Sequence, residues 1–65
     1  MKILISDIRT HKKITLERLA DTSGISKSTI QRIETGAVSP TMDTMEKLAK
    51  AMGIKITELF ESEYK

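Results

Sequence analysis

Between Leu16 and Thr35 the chain carries two short helical patterns joined only by Ser23-Gly24-Ile25. Thr15 can cap the first pattern, whose Leu16, Leu19 and Ala20 form one apolar stripe. Ser26 can cap the second, whose Ile30 and Ile33 face inward with Ile25. Gly24 and Gly36 follow as stops, because glycine accepts the left-handed conformation that ends a helix. A connection this short cannot fold two helices back antiparallel, so they must cross steeply, with Ala20 small enough to permit close approach. The spacing predicts helices near 16–22 and over Lys27–Thr35, and short helices of this kind favour a compact orthogonal bundle over a long up-and-down coiled coil.

The rest of the pattern is also helical. Leu4, Ile5 and Ile8 recur at helical spacing and lead into His11-Lys12-Lys13, cations suited to the negative end of a helix dipole, so a first helix is expected over about 2–12. Thr41 can cap a fourth helix, 42–52, with Met45, Leu48, Ala49 and Met52 on one face and Gly53 after it. Met42, Met45 and Met52 read as core filling, since methionine fits irregular gaps. Ile56, Leu59 and Phe60 predict a short fifth helix at about 56–62, with Glu61 to Lys65 frayed or partner-bound. The expected architecture is all-α: a compact five-helix domain spanning 1–65.

Size and composition narrow the function. A chain of 65 residues makes one domain with a small core and no room for a second, catalytic one. With no cysteine and a single histidine, His11, thiolate metal sites, disulfides and a histidine relay are excluded, and neither metal nor cofactor is expected. Neither paired carboxylates on one face nor a phosphate-binding glycine loop can be assembled, so the chain is not read as an enzyme. The longest apolar run, Ile3-Leu4-Ile5, is far short of a membrane span, and no secretory core follows Lys2, so a soluble chain at work in the cytoplasm is expected. The formal charge of +2 is modest, but it is unevenly placed. Residues 1–40 carry seven cations against four carboxylates, and the remainder four against five.

On a wheel of about 100° per residue the third helix sets Lys27, Ser28, Gln31, Arg32 and Thr35 on one side, opposite Ile30. A wholly polar side of this kind suits a major groove: Lys and Arg donate to guanine O6 and N7, a Gln amide pairs with adenine, and small hydroxyls permit close approach. Ser26 through Thr29 also place free backbone N–H groups where a phosphate can be held. The same wheel brings Glu34 near Ile30, an awkward place for a carboxylate without a cation. Arg9, one turn from Ile5, is the expected partner, in a structural ion pair.

The runs Ile14-Thr15-Leu16-Glu17-Arg18-Leu19-Ala20, Ser23-Gly24-Ile25-Ser26-Lys27-Ser28-Thr29-Ile30 and Arg32-Ile33-Glu34-Thr35-Gly36 resemble the Cro/C1-type (XRE) helix-turn-helix family. So do Ser39-Pro40-Thr41-Met42, Leu48-Ala49-Lys50-Ala51-Met52-Gly53-Ile54 and Glu58-Leu59-Phe60, and the resemblance covers nearly the whole chain. It implies a lambda-repressor-like domain whose third helix enters the major groove of double-stranded DNA. Bases would be read from the positions of Lys27, Ser28, Gln31 and Arg32, and phosphate or a base methyl touched from Ser26 and Thr29. The Arg9–Glu34 pair resembles a family feature too. Three positions depart from the pattern. Leu16 replaces a frequent phosphate-gripping glutamine, Lys13 a frequent glycine between the first two helices, and Lys55 the usual hydroxyl cap of the fifth.

The leading expectation is a sequence-specific transcriptional regulator, a repressor or autoregulator on an inverted repeat, with no small-molecule ligand and no membrane partner. Ile3, Leu4, Phe60 and Tyr64 are more apolar than single stripes require, and one small domain reaches few phosphates, so a homodimer on DNA is expected. Lacking a heptad seam, it would use the C-terminal helices. The alternative is a protein-interaction module on the same fold, such as an antitoxin that binds another protein.

Overall fold

Three hydroxyl side chains and the turns between them set the helix boundaries in the computed structural model, which describes residues 1–65. Thr15 Oγ1 accepts from the Arg18 N–H at 3.1 Å, Ser26 Oγ from Thr29 N–H at 3.2 Å, and Thr41 Oγ1 from Thr44 N–H at 3.1 Å. Each satisfies a donor that the first turn of a helix leaves without an internal partner. The elements in order are strand β1 (Lys2–Ile3), helices α1 (Ile5–His11), α2 (Leu16–Ser23), α3 (Lys27–Thr35) and α4 (Met42–Met52), a single 3-10 turn at Ile56–Glu58, and strand β2 (Phe60–Glu61).

Gly24 closes α2 at φ 75°, in the left-handed region, and this reverses the chain within the Ser23–Ile25 turn without a Cβ clash. At the end of α1 the same conformation is held by Lys13, φ 59°. Its N–H donates to the Thr10 carbonyl at 3.1 Å and the Ile14 N–H to the Arg9 carbonyl at 2.9 Å, the paired bonds of a Schellman stop. Lysine therefore occupies a seat whose geometry favours glycine.

The core is one cluster drawn from every helix: Ile5 from α1, Leu19 from α2, Ile30 and Ile33 from α3, Met45, Leu48, Ala49 and Met52 from α4, and Leu59 beyond the 3-10 turn. Burying each large aliphatic side chain contributes roughly 1.5–3 kcal/mol, so a cluster this small leaves a modest margin. α2 packs on both α3 and α4, which seats the helix-turn-helix on the core. No helix is long and apolar enough to cross a membrane.

Three expectations are corrected. The first helix begins at Ile5 rather than at residue 2, because Lys2 and Ile3 pair antiparallel with Glu61 and Phe60. The fifth helix does not form, and the domain has four α-helices, not five. Its backbone groups are claimed elsewhere: the Leu59 carbonyl accepts from Leu4 N–H at 2.7 Å, and Phe60–Glu61 complete the ribbon with β1. Lys55 offers no hydroxyl cap, and its N–H instead donates to Glu58 Oε1 at 3.1 Å. The ribbon accounts for part of the apolar surplus, since Ile3 and Phe60 sit opposite each other and pack on the core, whereas Tyr64 is 90% exposed. Met42, finally, is 67% exposed and fills no core gap. At the C-terminus Lys65 folds back, its Nζ donating to the Phe60 carbonyl at 2.9 Å and to Glu61 Oε1 at 3.3 Å.

Candidate nucleic-acid interface

α3 owes its orientation to two isoleucines. Ile30 is fully buried and Ile33 nearly so, and with these turned inward the opposite side of the helix must face solvent. Lys27, Ser28, Gln31, Arg32 and Thr35 are all exposed on that side, and Thr29 is half-buried at its edge. Ser28, Gln31, Arg32, Glu34 and Thr35 line a shallow depression that contains no hydrophobic residue. A surface of side-chain donors and acceptors on an exposed helix face can read base edges.

The start of the helix is more tightly organised than its wheel indicates. Ser26 Oγ, besides capping Thr29 N–H, donates to Thr29 Oγ1 at 2.7 Å and lies 3.4 Å from Ser28 Oγ. Three hydroxyls thus converge at the N-terminus of a nine-residue helix, where the dipole is positive. Ser26 Oγ thus accepts from the cap and donates to Thr29, so to meet a phosphate its one hydrogen must leave Thr29 Oγ1.

The two cations of this face differ. Arg32 enters no ion pair, whereas Lys27 Nζ lies 3.3 Å from Glu17 Oε1 on α2. Neither periodicity nor motif indicated that contact. Glu17 and Lys27 stand in the first turns of different helices, and only the crossing angle brings them together; a helix-turn-helix drawn in three dimensions would have been the signal.

Behind the face, Arg9 Nε donates to Glu34 Oε2 at 3.0 Å, with side chains only 19% and 11% exposed. Arg9 Nη1 also donates to the Ile14 carbonyl at 3.2 Å. α1, the turn before α2, and the last turn of α3 are therefore tied by one guanidinium. Leu16 contributes its side chain to the edge of the core and offers no polar group.

Two short helices joined by a tight glycine turn, the second with a polar, cation-bearing outer face, define the DNA-binding class of helix-turn-helix domains. The family described as "Helix-turn-helix" matches residues 5–59, and this chain belongs to it, in the Cro/C1-type (XRE) branch, a family of DNA-binding transcriptional regulators rather than of enzymes. It is similar to the HTH-type transcriptional regulator PuuR of Escherichia coli K12, 38% identical over 56 residues, 86% of this chain and 30% of that one. It is 40% identical over 55 residues to the cryptic phage CTXphi transcriptional repressor RstR of Vibrio cholerae, covering 85% of this chain and 50% of the relative. An uncharacterized HTH-type transcriptional regulator of Methanocaldococcus jannaschii, MJ0272, is 37% identical over 60 residues, 92% of this chain and 91% of its own. The chain thus spans only 30% of the length of PuuR and 50% of RstR. No solved structure matches significantly.

Proposed function

We propose that this chain is a sequence-specific repressor or autoregulator that lays α3 in the major groove of an inverted-repeat operator on cytoplasmic DNA. The observation that carries the reading is the α3 outer face, polar throughout and held outward by Ile30 and Ile33. Lys27, Ser28, Gln31 and Arg32 read base edges, Arg32 as a bidentate donor to guanine, while Ser26 and Thr29 meet phosphate or a thymine methyl. The names of two relatives, the CTXphi repressor and the immunity repressor of Bacillus phage phi105, favour repression over activation.

Size favours a homodimer on DNA. The domain measures 31 × 22 × 20 Å, so one copy covers about one groove segment. Two copies side by side match half-sites about 34 Å apart, one helical turn, and double the phosphate contacts. The chain itself performs no chemistry in this reading and needs no cofactor.

The experiment is a titration against its own promoter region at two salt concentrations, with scrambled competitor duplex. Operator binding that resists competitor and falls with salt at a slope near −0.9 per neutralised phosphate is expected. Salt-independent behaviour with no DNA affinity would favour the protein-interaction alternative, an antitoxin-like partner of another protein.

A further inference from the structure

The Glu17–Lys27 contact joins the first turn of α2 to the first turn of α3 across the Ser23–Ile25 turn, at 3.3 Å, with 71% and 53% of the respective side chains exposed. An ion pair this wet adds little to stability. Its effect falls instead on what Lys27 can do. The first turn of α3 is the part that enters a groove most deeply, and a free lysine there is a mobile point charge attracted to any phosphate. A carboxylate beside it opposes that attraction. An ammonium has three donors, so one held by Glu17 leaves two directed away from α2, in a restricted fan rather than over the whole surface.

We propose that Glu17 is a positioning residue for Lys27: the pair aims the ammonium at a base edge in the operator and withholds it from the phosphates of unrelated DNA, and so sets sequence discrimination. This rests on the reading of α3 as the DNA-contacting helix. Asp21, one turn further along α2, lines the same depression as Glu17, Ser26 and Lys27 but enters no ion pair, which makes it the internal control for charge alone.

The test measures affinity for operator and for scrambled duplex across a salt series in four variants: Glu17→Gln, Asp21→Asn, Lys27→Met, and Glu17→Gln combined with Lys27→Met. Glu17→Gln is expected to strengthen scrambled-duplex binding about two- to fivefold, the size of a released exposed pair. Its salt slope should steepen by about 0.9, one additional phosphate neutralised. Operator binding should gain less, so the operator preference narrows. In the Lys27→Met background the Glu17→Gln effect should shrink to that of Asp21→Asn, which reports net charge only. A Glu17→Gln protein with unchanged slope and preference would overturn the proposal, as would an effect of undiminished size without Lys27. If the wild-type chain binds its operator while either of these results is found, only the Glu17 role fails. If the wild-type chain binds no DNA, both this role and the regulator reading fail.

Discussion

Arg9 and Glu34 meet at 3.0 Å although 25 positions separate them in the chain. Because the same guanidinium also holds the Ile14 carbonyl, it ties the last turn of α3 to α1 and to the turn before α2, adding to the orientation that Ile30 and Ile33 give α3. The exposed, polar side of α3 is thus braced from behind by a pair that is itself largely out of water.

Glu34→Ala is expected to cost about 2–4 kcal/mol, somewhat below the cost of breaking a fully buried pair because both partners keep some solvent contact. In a domain this small that lowers the melting temperature by more than about 8 °C. Urea and thermal denaturation of the purified chain measure it, and a loss under about 0.5 kcal/mol would show that water replaces the carboxylate.

Arg32→Ala should behave in the opposite way. The residue is exposed and enters no ion pair, so melting should be unchanged within about 0.5 kcal/mol. Operator affinity should fall by about 1–3 kcal/mol, and discrimination should relax at one base pair. Equal operator affinity in wild type and variant would remove Arg32 from the reading face.

Lys13→Gly is expected to stabilise the domain. A side chain in the left-handed region costs about 1–2 kcal/mol, and the extra freedom of glycine in the unfolded chain returns roughly 0.5–1 kcal/mol of that. The net gain is about 0.5 kcal/mol, a rise of roughly 2–4 °C in melting temperature. A lower melting temperature would mean that the lysine side chain makes a contact worth more than the strain.

Leu48 and Met42 occupy the same helix and should differ sharply. Leu48 is fully buried, and Leu48→Ala leaves a cavity costing about 2–5 kcal/mol, enough to unfold much of a domain of this size at room temperature. Met42 is 67% exposed, and Met42→Gln should shift stability by less than about 0.5 kcal/mol. Circular dichroism melts of the two variants separate them, and comparable losses would place Met42 in a contact with a second copy or within the core.

The helix-turn-helix is legible in the amino-acid sequence because its signals are local. A hydroxyl before each helix, a glycine after α2 and α3, and isoleucines spaced three apart act within one or two turns of backbone. The inward direction of Ile30 and Ile33 follows from that spacing, and the outward direction of Lys27, Gln31 and Arg32 follows from it in turn. Glu34 is likewise recognisable on the wheel as a carboxylate on the wrong side, although the wheel alone offers Arg9 only as a candidate.

What the tertiary structure decided lies where local preference and long-range pairing compete or where two elements must meet. Ile56, Leu59 and Phe60 have helical spacing, yet the chain makes one 3-10 turn and a strand, because β1 offers Phe60–Glu61 a backbone partner that lies far away in sequence. Met42 shares the periodicity of Met45 but sits at the first position of α4 and is exposed. The Glu17–Lys27 contact exists only because α2 and α3 cross as they do. Sequence by itself determined α2, α3 and α4, their hydroxyl caps and the polar face of α3, since those depend on residues a few positions apart. Which distant groups touch, and therefore how the chain ends and what stands beside Lys27, was decided by packing around a core that no single segment contains.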